Sequence, residues 1–168
     1  IQNTSNDFNA RFSATKRSYI YKFLCRTATP SILTNQVWHI QKRVDINAMK
    51  LAANHLVGNH DFSSFRSVSC QAPSPVKTIN KFKFAFLNNV LEMRVEAKSF
   101  LHNQVRIIAG TLIKVGTGIW NSNKVKEILE LRSRSEAGET APPDGLYLEK
   151  ITYPKKLLNS KWPTYIDD

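Results

Sequence analysis

Residues 81–97 constrain this chain most. Lys81-Phe82-Lys83-Phe84-Ala85-Phe86 alternates strictly, Asn88-Asn89 interrupts, and Val90 to Ala97 alternates again. A period of two on both sides of a two-residue Asn turn specifies an antiparallel hairpin. Phe82, Phe84 and Phe86 are expected toward the core, with Leu91, Met93, Val95 and Ala97 beside them. Lys81, Lys83, Glu92, Arg94, Glu96 and Lys98 form the opposite face. Their mixed signs suit a solvated sheet face, and three Phe on one strand read as core rather than as a base-stacking motif.

The hairpin runs into Lys98–Gly110 and from there into a helix. Leu101, Val105, Ile108, Leu112 and Val115 recur at helical spacing, predicting a helix from Phe100 to about Val115 with a buried stripe. Gly116 and Gly118 end it. Arg106 sits about 100° round from Val105, in a lane shared with His102, Ala109, Gly110 and Ile113. A cation beside a buried stripe, with small residues one turn on, suggests close approach by another chain or a ligand. The same pattern also fits an Arg that snorkels to solvent or pairs with a structural carboxylate.

The rest of the chain fits an α+β fold: an antiparallel sheet covered by helices. Ser18 to Cys25 alternates, with Tyr19, Tyr21 and Phe23 on one face. Arg11, Lys16 and Arg17 precede it, so the strand reads either as an RNA surface or as a core strand with a basic loop in water. A short extended piece follows at Val37–Ile40. Asp45 caps a helix with Ile46, Met49, Ala53, Leu56 and Val57 inward, and Gly58 closes it. Asn59–Arg66 lacks periodicity, so Phe62 and Phe65 are expected as a plug under a loop, with Asp61 in a turn or cap role. Ser67–Pro75 reads as a loop. Asn121 or Ser122 caps a further helix to about Leu131, Arg132–Asp144 reads as an exposed loop, and Gly145–Leu148 and Ile151–Tyr153 as strand fragments. Residues 1–168 form one domain, with a tail over 154–168.

Charge points to an anionic partner. The net charge is +11, and residues 1–50 hold eight Lys/Arg against two acids, a net of +6. Such a surface suits nucleic acid first. Cys25 and Cys70 lie far apart, which favours a reduced, cytoplasmic setting. The four histidines make no ligand spacing, so no metal site is expected. No apolar run spans a bilayer, because Arg106 and Lys114 break the best candidate. No nucleophile–base pair, phosphate loop or paired-carboxylate site emerges from spacing alone.

Four stretches carry a resemblance. Phe8-Asn9-Ala10-Arg11-Phe12-Ser13-Ala14-Thr15-Lys16-Arg17-Ser18-Tyr19-Ile20-Tyr21 resembles the F-x-A-R-F-S-A-x-x-R-x-Y-x-Y segment of the tRNA pseudouridine synthases of the TruA family. Gly58 to Phe65 resembles that family's G-x-H-D-F-x-S-F loop. Phe100 to Arg106 resembles F-L-x-x-x-V-R, and Gly145 to Leu148 the closing G-L-x-L. The motifs stand in family order along nearly the whole chain. Asn9 and Ser18 depart from the His and Arg that better-known members often carry. A larger departure is that the family's nucleophilic aspartate lies in an R-T-D-A-G segment upstream of the first motif. None of Asp7, Asp45, Asp61, Asp144, Asp167 or Asp168 has that context, and the chain begins at Ile1 without an initiator Met. The expectation is therefore a C-terminal portion of such an enzyme.

The resemblance implies a pseudouridine-synthase-like fold and conversion of uridine to pseudouridine in the tRNA anticodon arm. It implies no cofactor, and a homodimer with tRNA crossing both subunits. It makes Arg106 the cation that pairs with and orients the nucleophilic carboxylate, and puts Tyr19 against the target base, able to stack, hydrogen-bond or move a proton. Leu146 would pack on the base. Arg11, Phe12, Lys16 and Arg17 would meet the substrate, the cations touching the tRNA backbone. The portion alone is expected to be inactive. A non-catalytic RNA-binding module of the same fold is the alternative.

Overall fold

Alternation from Lys16 onward produces β1 (Lys16–Cys25), the strand on which the sheet is built. The computed structural model describes residues 4, 6–154 and 157. On one side β1 pairs antiparallel with β5 (Val90–Ala97), setting Tyr19 opposite Val95, Tyr21 opposite Met93 and Phe23 opposite Leu91. On its other side it takes two partners in turn. β2 (Trp38–Ile40) runs parallel to Phe23–Cys25, and β6 (Leu146–Thr152) runs antiparallel to Lys16–Tyr21. Beyond β5 come β4 (Val76–Leu87) and then β3 (Gly58–Asp61), both antiparallel to their neighbours. The six-stranded sheet has the order β2-β1-β5-β4-β3, with β6 beside β1. Every pairing but β1–β2 is antiparallel.

Asn88 and Asn89 have φ of 50° and 63°, so both central turn residues are left-handed, as the tightest hairpin turn requires. One face of the sheet is closed by α1 (Ile46–Asn54), α2 (Gln104–Gly116) and α3 (Lys124–Leu131). Between them lie the fully buried Tyr21, Phe23, Leu91, Met93 and Val95. The Asp45 side chain caps α1, accepting from the Ala48 N–H at 3.0 Å. Among the described residues no helix is long and apolar enough to cross a membrane.

Several expectations change. Gly58, with φ of 112°, opens β3 rather than closing α1. Gly-Asn-His-Asp has no alternation to reveal it, because it pairs only with the first four residues of β4. The two Phe that follow do form a plug: Phe62 and Phe65 are fully buried around a 3₁₀ turn, Ser63–Phe65. The hairpin phenylalanines are less buried than the alternation suggests. Phe82 and Phe84 are half-buried, and Phe86 is 51% exposed. Leu146 to Thr152 is one strand, not two fragments. The stretch 132–144 is exposed at Arg132, Ser135, Glu136, Glu139, Pro143 and Asp144, as expected of a loop, but Ala137, Gly138 and Ala141 are buried. Most of the tail lies outside the described residues.

Candidate active site

The turn Leu101–Asn103 before α2 is held from two directions. The Leu101 N–H donates to Gln104 Oε1 at 2.8 Å. The loop after the Phe plug grips His102: Ser67 N–H donates to its carbonyl at 3.1 Å, its own N–H donates to Cys70 Sγ at 3.4 Å, and its Nδ1 meets Ser69 Oγ at 3.2 Å. Asn103 follows in the left-handed region, with φ of 59°. Asn is one of the few side chains that tolerate this backbone. That geometry lets Asn103 Oδ1 accept from Arg106 Nη1 at 3.2 Å.

Arg106 is bound on its other side by residues 137–145, which cross α2 as a strap. Its Nε donates to the Ala141 carbonyl at 2.7 Å, and the Ala141 N–H donates back to the Arg106 carbonyl at 3.2 Å. One turn along α2, the Gly138 N–H donates to Thr111 Oγ1 at 3.0 Å. The strap can lie this close only because the contact is glycine on glycine. A Cβ on Gly138 would sit 2.6 Å from the Gly110 carbonyl oxygen, and a Cβ on Gly110 would collide with the Glu139 carbonyl. The small lane beside Arg106 therefore receives the chain's own strap. No further chain is needed to explain Gly110.

The next strap residue reaches β1. Tyr21 donates its hydroxyl to the Pro142 carbonyl at 2.7 Å. Burial pushes the Tyr21 hydroxyl far above the usual tyrosine range, the Arg106 charge opposes that rise, and Asp144 adds to it. Tyr21 thus stays a protonated donor with a structural bond. Tyr19, two residues earlier on the same face, is half-buried, and its ring forms a T-shaped pair with Phe100, centroids 5.4 Å apart. Leu146 lies opposite Tyr21 and Leu148 opposite Tyr19 in the β1–β6 pairing. Tyr21 is the shared neighbour: Leu146 lies opposite it on β6, and it feels the Arg106 charge from α2.

The guanidinium has two neutral acceptors and, among the described residues, no carboxylate within 4 Å. Arg106 is half-buried, and among the described residues it pairs with no structural acid. Its position can orient and stabilise an anion brought to it.

The basic loop presents its residues differently. Asn9 Oδ1 accepts from the N–H groups of Arg11 and Phe12 at 3.0 and 3.1 Å, a turn that points both side chains outward. Phe12 is 76% exposed, with the Arg11 guanidinium carbon 5.4 Å from its ring centre. Lys16 and Arg17 are engaged inside the chain. Lys16 pairs with Glu96 at 3.3 Å, and Arg17 donates to the carbonyls of Lys98 and Arg11. Asp61 is structural: burial raises its pKa, but Ser63 Oγ at 2.7 Å and N at 2.9 Å, with Arg132 and Arg66, hold it below the usual carboxylate range. Among the described residues no group of three His, Cys, Asp or Glu is placed to hold a metal.

Sequence reasoning missed Asn103, Thr111, Gly138 and Ala141 as supports of Arg106. The only signal was a Gly and two Ala inside a polar stretch, at a size that fits against a helix.

The profile described as tRNA pseudouridine synthase matches residues 52–154. The tRNA pseudouridine synthase A of Gluconobacter oxydans is 48% identical over 153 residues, covering 91% of this chain and 56% of that protein. Those of Mesorhizobium japonicum and Caulobacter sp. are 47% and 46% identical over 149 residues, covering 89% of this chain and 60% of each protein. The chain thus spans somewhat over half the length of these curated relatives.

Proposed function

Because the chain belongs to the tRNA pseudouridine synthase family, we propose that it is the C-terminal portion of an enzyme that isomerises uridine in the anticodon arm of tRNA. The observation that carries this is Arg106: a half-buried guanidinium directed by Asn103 and Ala141, without a carboxylate of its own among the described residues. In the proposed site the carboxylate comes from a segment outside this chain. Arg106 keeps it ionised in a pocket that excludes water, so that it can act as a nucleophile. The bond from ribose C1′ to uracil N1 breaks, the base turns over, and C1′ bonds to C5. The C5 proton is lost and N1 regains one, so the isomerisation needs no external reagent.

Tyr19 lies against the base, where its ring stacks and its hydroxyl can hydrogen-bond or move a proton. Leu146 packs on the base from β6. Arg11 and Phe12 reach out to the tRNA, while Lys16 and Arg17 carry charge at the backbone from positions already braced by the fold. The family resemblance further implies a homodimer with tRNA crossing both subunits. Two free cysteines agree with a cytoplasmic setting.

The test is release of tritium from tRNA labelled at uracil C5 by the full-length protein that contains this chain. Release at anticodon-arm uridines is expected. Tight tRNA binding with no release, while a curated relative turns over in the same assay, would overturn the proposal in favour of a non-catalytic RNA-binding module.

A further inference from the structure

Arg106 is directed by the Ala141 carbonyl, and that carbonyl is directed by the course of the strap. Arg134, in the 3₁₀ turn Arg134–Glu136, binds the strap at its bend. Its Nη1 donates to the Gly138 carbonyl at 3.0 Å and its Nη2 to Thr140 Oγ1 at 3.1 Å. These two acceptors flank Glu139, whose carbonyl presses on Gly110. Gly138 is in turn pinned to Thr111, and Ala141 to Arg106. A planar fork with both prongs engaged fixes the backbone between them more firmly than one bond does.

Arg134 has no ion pair among the described residues, and burial pushes its pKa down. Placing an unpaired cation in a partly buried bend is unfavourable unless its donors are satisfied. Here a carbonyl and a hydroxyl each take one of them, so the charge is held by the strap and the strap by the charge.

We propose that Arg134 is a positioning residue for Arg106: by forking across Gly138 and Thr140 it sets the Ala141 carbonyl that directs the Arg106 guanidinium. It acts through the strap and touches no substrate. The inference rests on the catalytic reading of Arg106 given above. It assigns the stretch after α3 a role in the reaction step rather than in tRNA affinity.

The experiment compares Arg134→Gln, Arg134→Lys and Thr140→Val with the parent in the full-length protein. Arg132→Gln, on an exposed neighbour, is the control. For Arg134→Gln, kcat falls about tenfold or more while KM for tRNA stays within about twofold, because a misdirected catalytic group costs rate without losing contact area. Arg134→Lys, which can fill one acceptor at a time, restores part of kcat, and Arg132→Gln matches the parent. Exchange of the Arg106 Nε–H, followed by ¹⁵N NMR, accelerates in Arg134→Gln and reads the positioning without turnover. A folded Arg134→Gln with parental kcat and parental exchange overturns the proposal, as does a loss confined to KM. If Arg134→Gln does not fold, Thr140→Val decides: lowered kcat at unchanged KM supports the proposal, and parental kcat overturns it. Failure of the catalytic reading looks different, since the parent itself would then release no C5 tritium.

Discussion

Helix α2 and the outer half of the β4–β5 hairpin carry equally clear apolar periodicities, yet the structure treats them in opposite ways. On α2, Val105, Ile108, Leu112 and Val115 are all buried, and so are Ile107, Ala109 and Gly110 round the side. On β4, Phe82 and Phe84 are half-buried, Phe86 is 51% exposed and Leu87 is 73% exposed. The β5 partners of the three Phe (Val95, Met93 and Leu91) are nevertheless fully buried. Periodicity tells which face an element offers, and burial depends on what arrives to cover it. The sheet covers one side of α2 and the strap the other. β3 pairs only with Val76–Ile79, so among the described residues no further strand flanks the far end of β4, where Phe82 and Phe84 pack at the core's margin and stack 6.5 Å apart.

If this contrast is real, substitutions at the covered helix should cost far more than substitutions at the far end of β4. The largest effect is expected for Arg106→Ala in the full-length protein. Leaving a buried carboxylate unpaired costs about 3–5 kcal/mol, read as lost C5-tritium release. Gly138→Ala comes next. Its methyl group would enter the Gly110 carbonyl, so we expect about 1–3 kcal/mol of lost stability by chemical denaturation, with turnover falling alongside. The smallest effect is expected for Phe86→Ala, within about 0.5 kcal/mol in the same denaturation assay, as for most surface changes. A Phe86→Ala cost equal to that of Gly138→Ala would break the contrast and mean that something covers the hairpin.

Much of the sheet was legible because its signals are local. The Lys81–Ala97 alternation and the Asn88-Asn89 turn specify a hairpin without reference to anything distant, and Asp45 marks the start of α1 by its own side chain. β3 and the strap were not legible. Gly58–Asp61 becomes a strand only because an edge of β4 is available, and residues 137–145 become buried only because Gly110 leaves room for them. The same division holds at the site. Resemblance proposes Arg106 and Tyr19 for the site, whereas periodicity alone left Arg106 between an approach site, a snorkelling cation and a structural ion pair. What fixes its direction lies 35 residues downstream, at Ala141, where no sequence pattern marks a partner. Lys16 and Arg17 show the reverse: they read as free cations, yet both are engaged with neighbouring residues.

The central claim is that Arg106 acts as a directed fork, with Nε on Ala141 and Nη1 on Asn103, and not merely as a positive charge. Arg106→Lys tests this most directly, because it keeps the charge and removes the fork. We predict that single-turnover C5-tritium release by the full-length protein falls at least about tenfold while tRNA affinity is unchanged. Release within about twofold of the parent would contradict the account, since the strap's hold on the guanidinium would then be irrelevant to the chemistry.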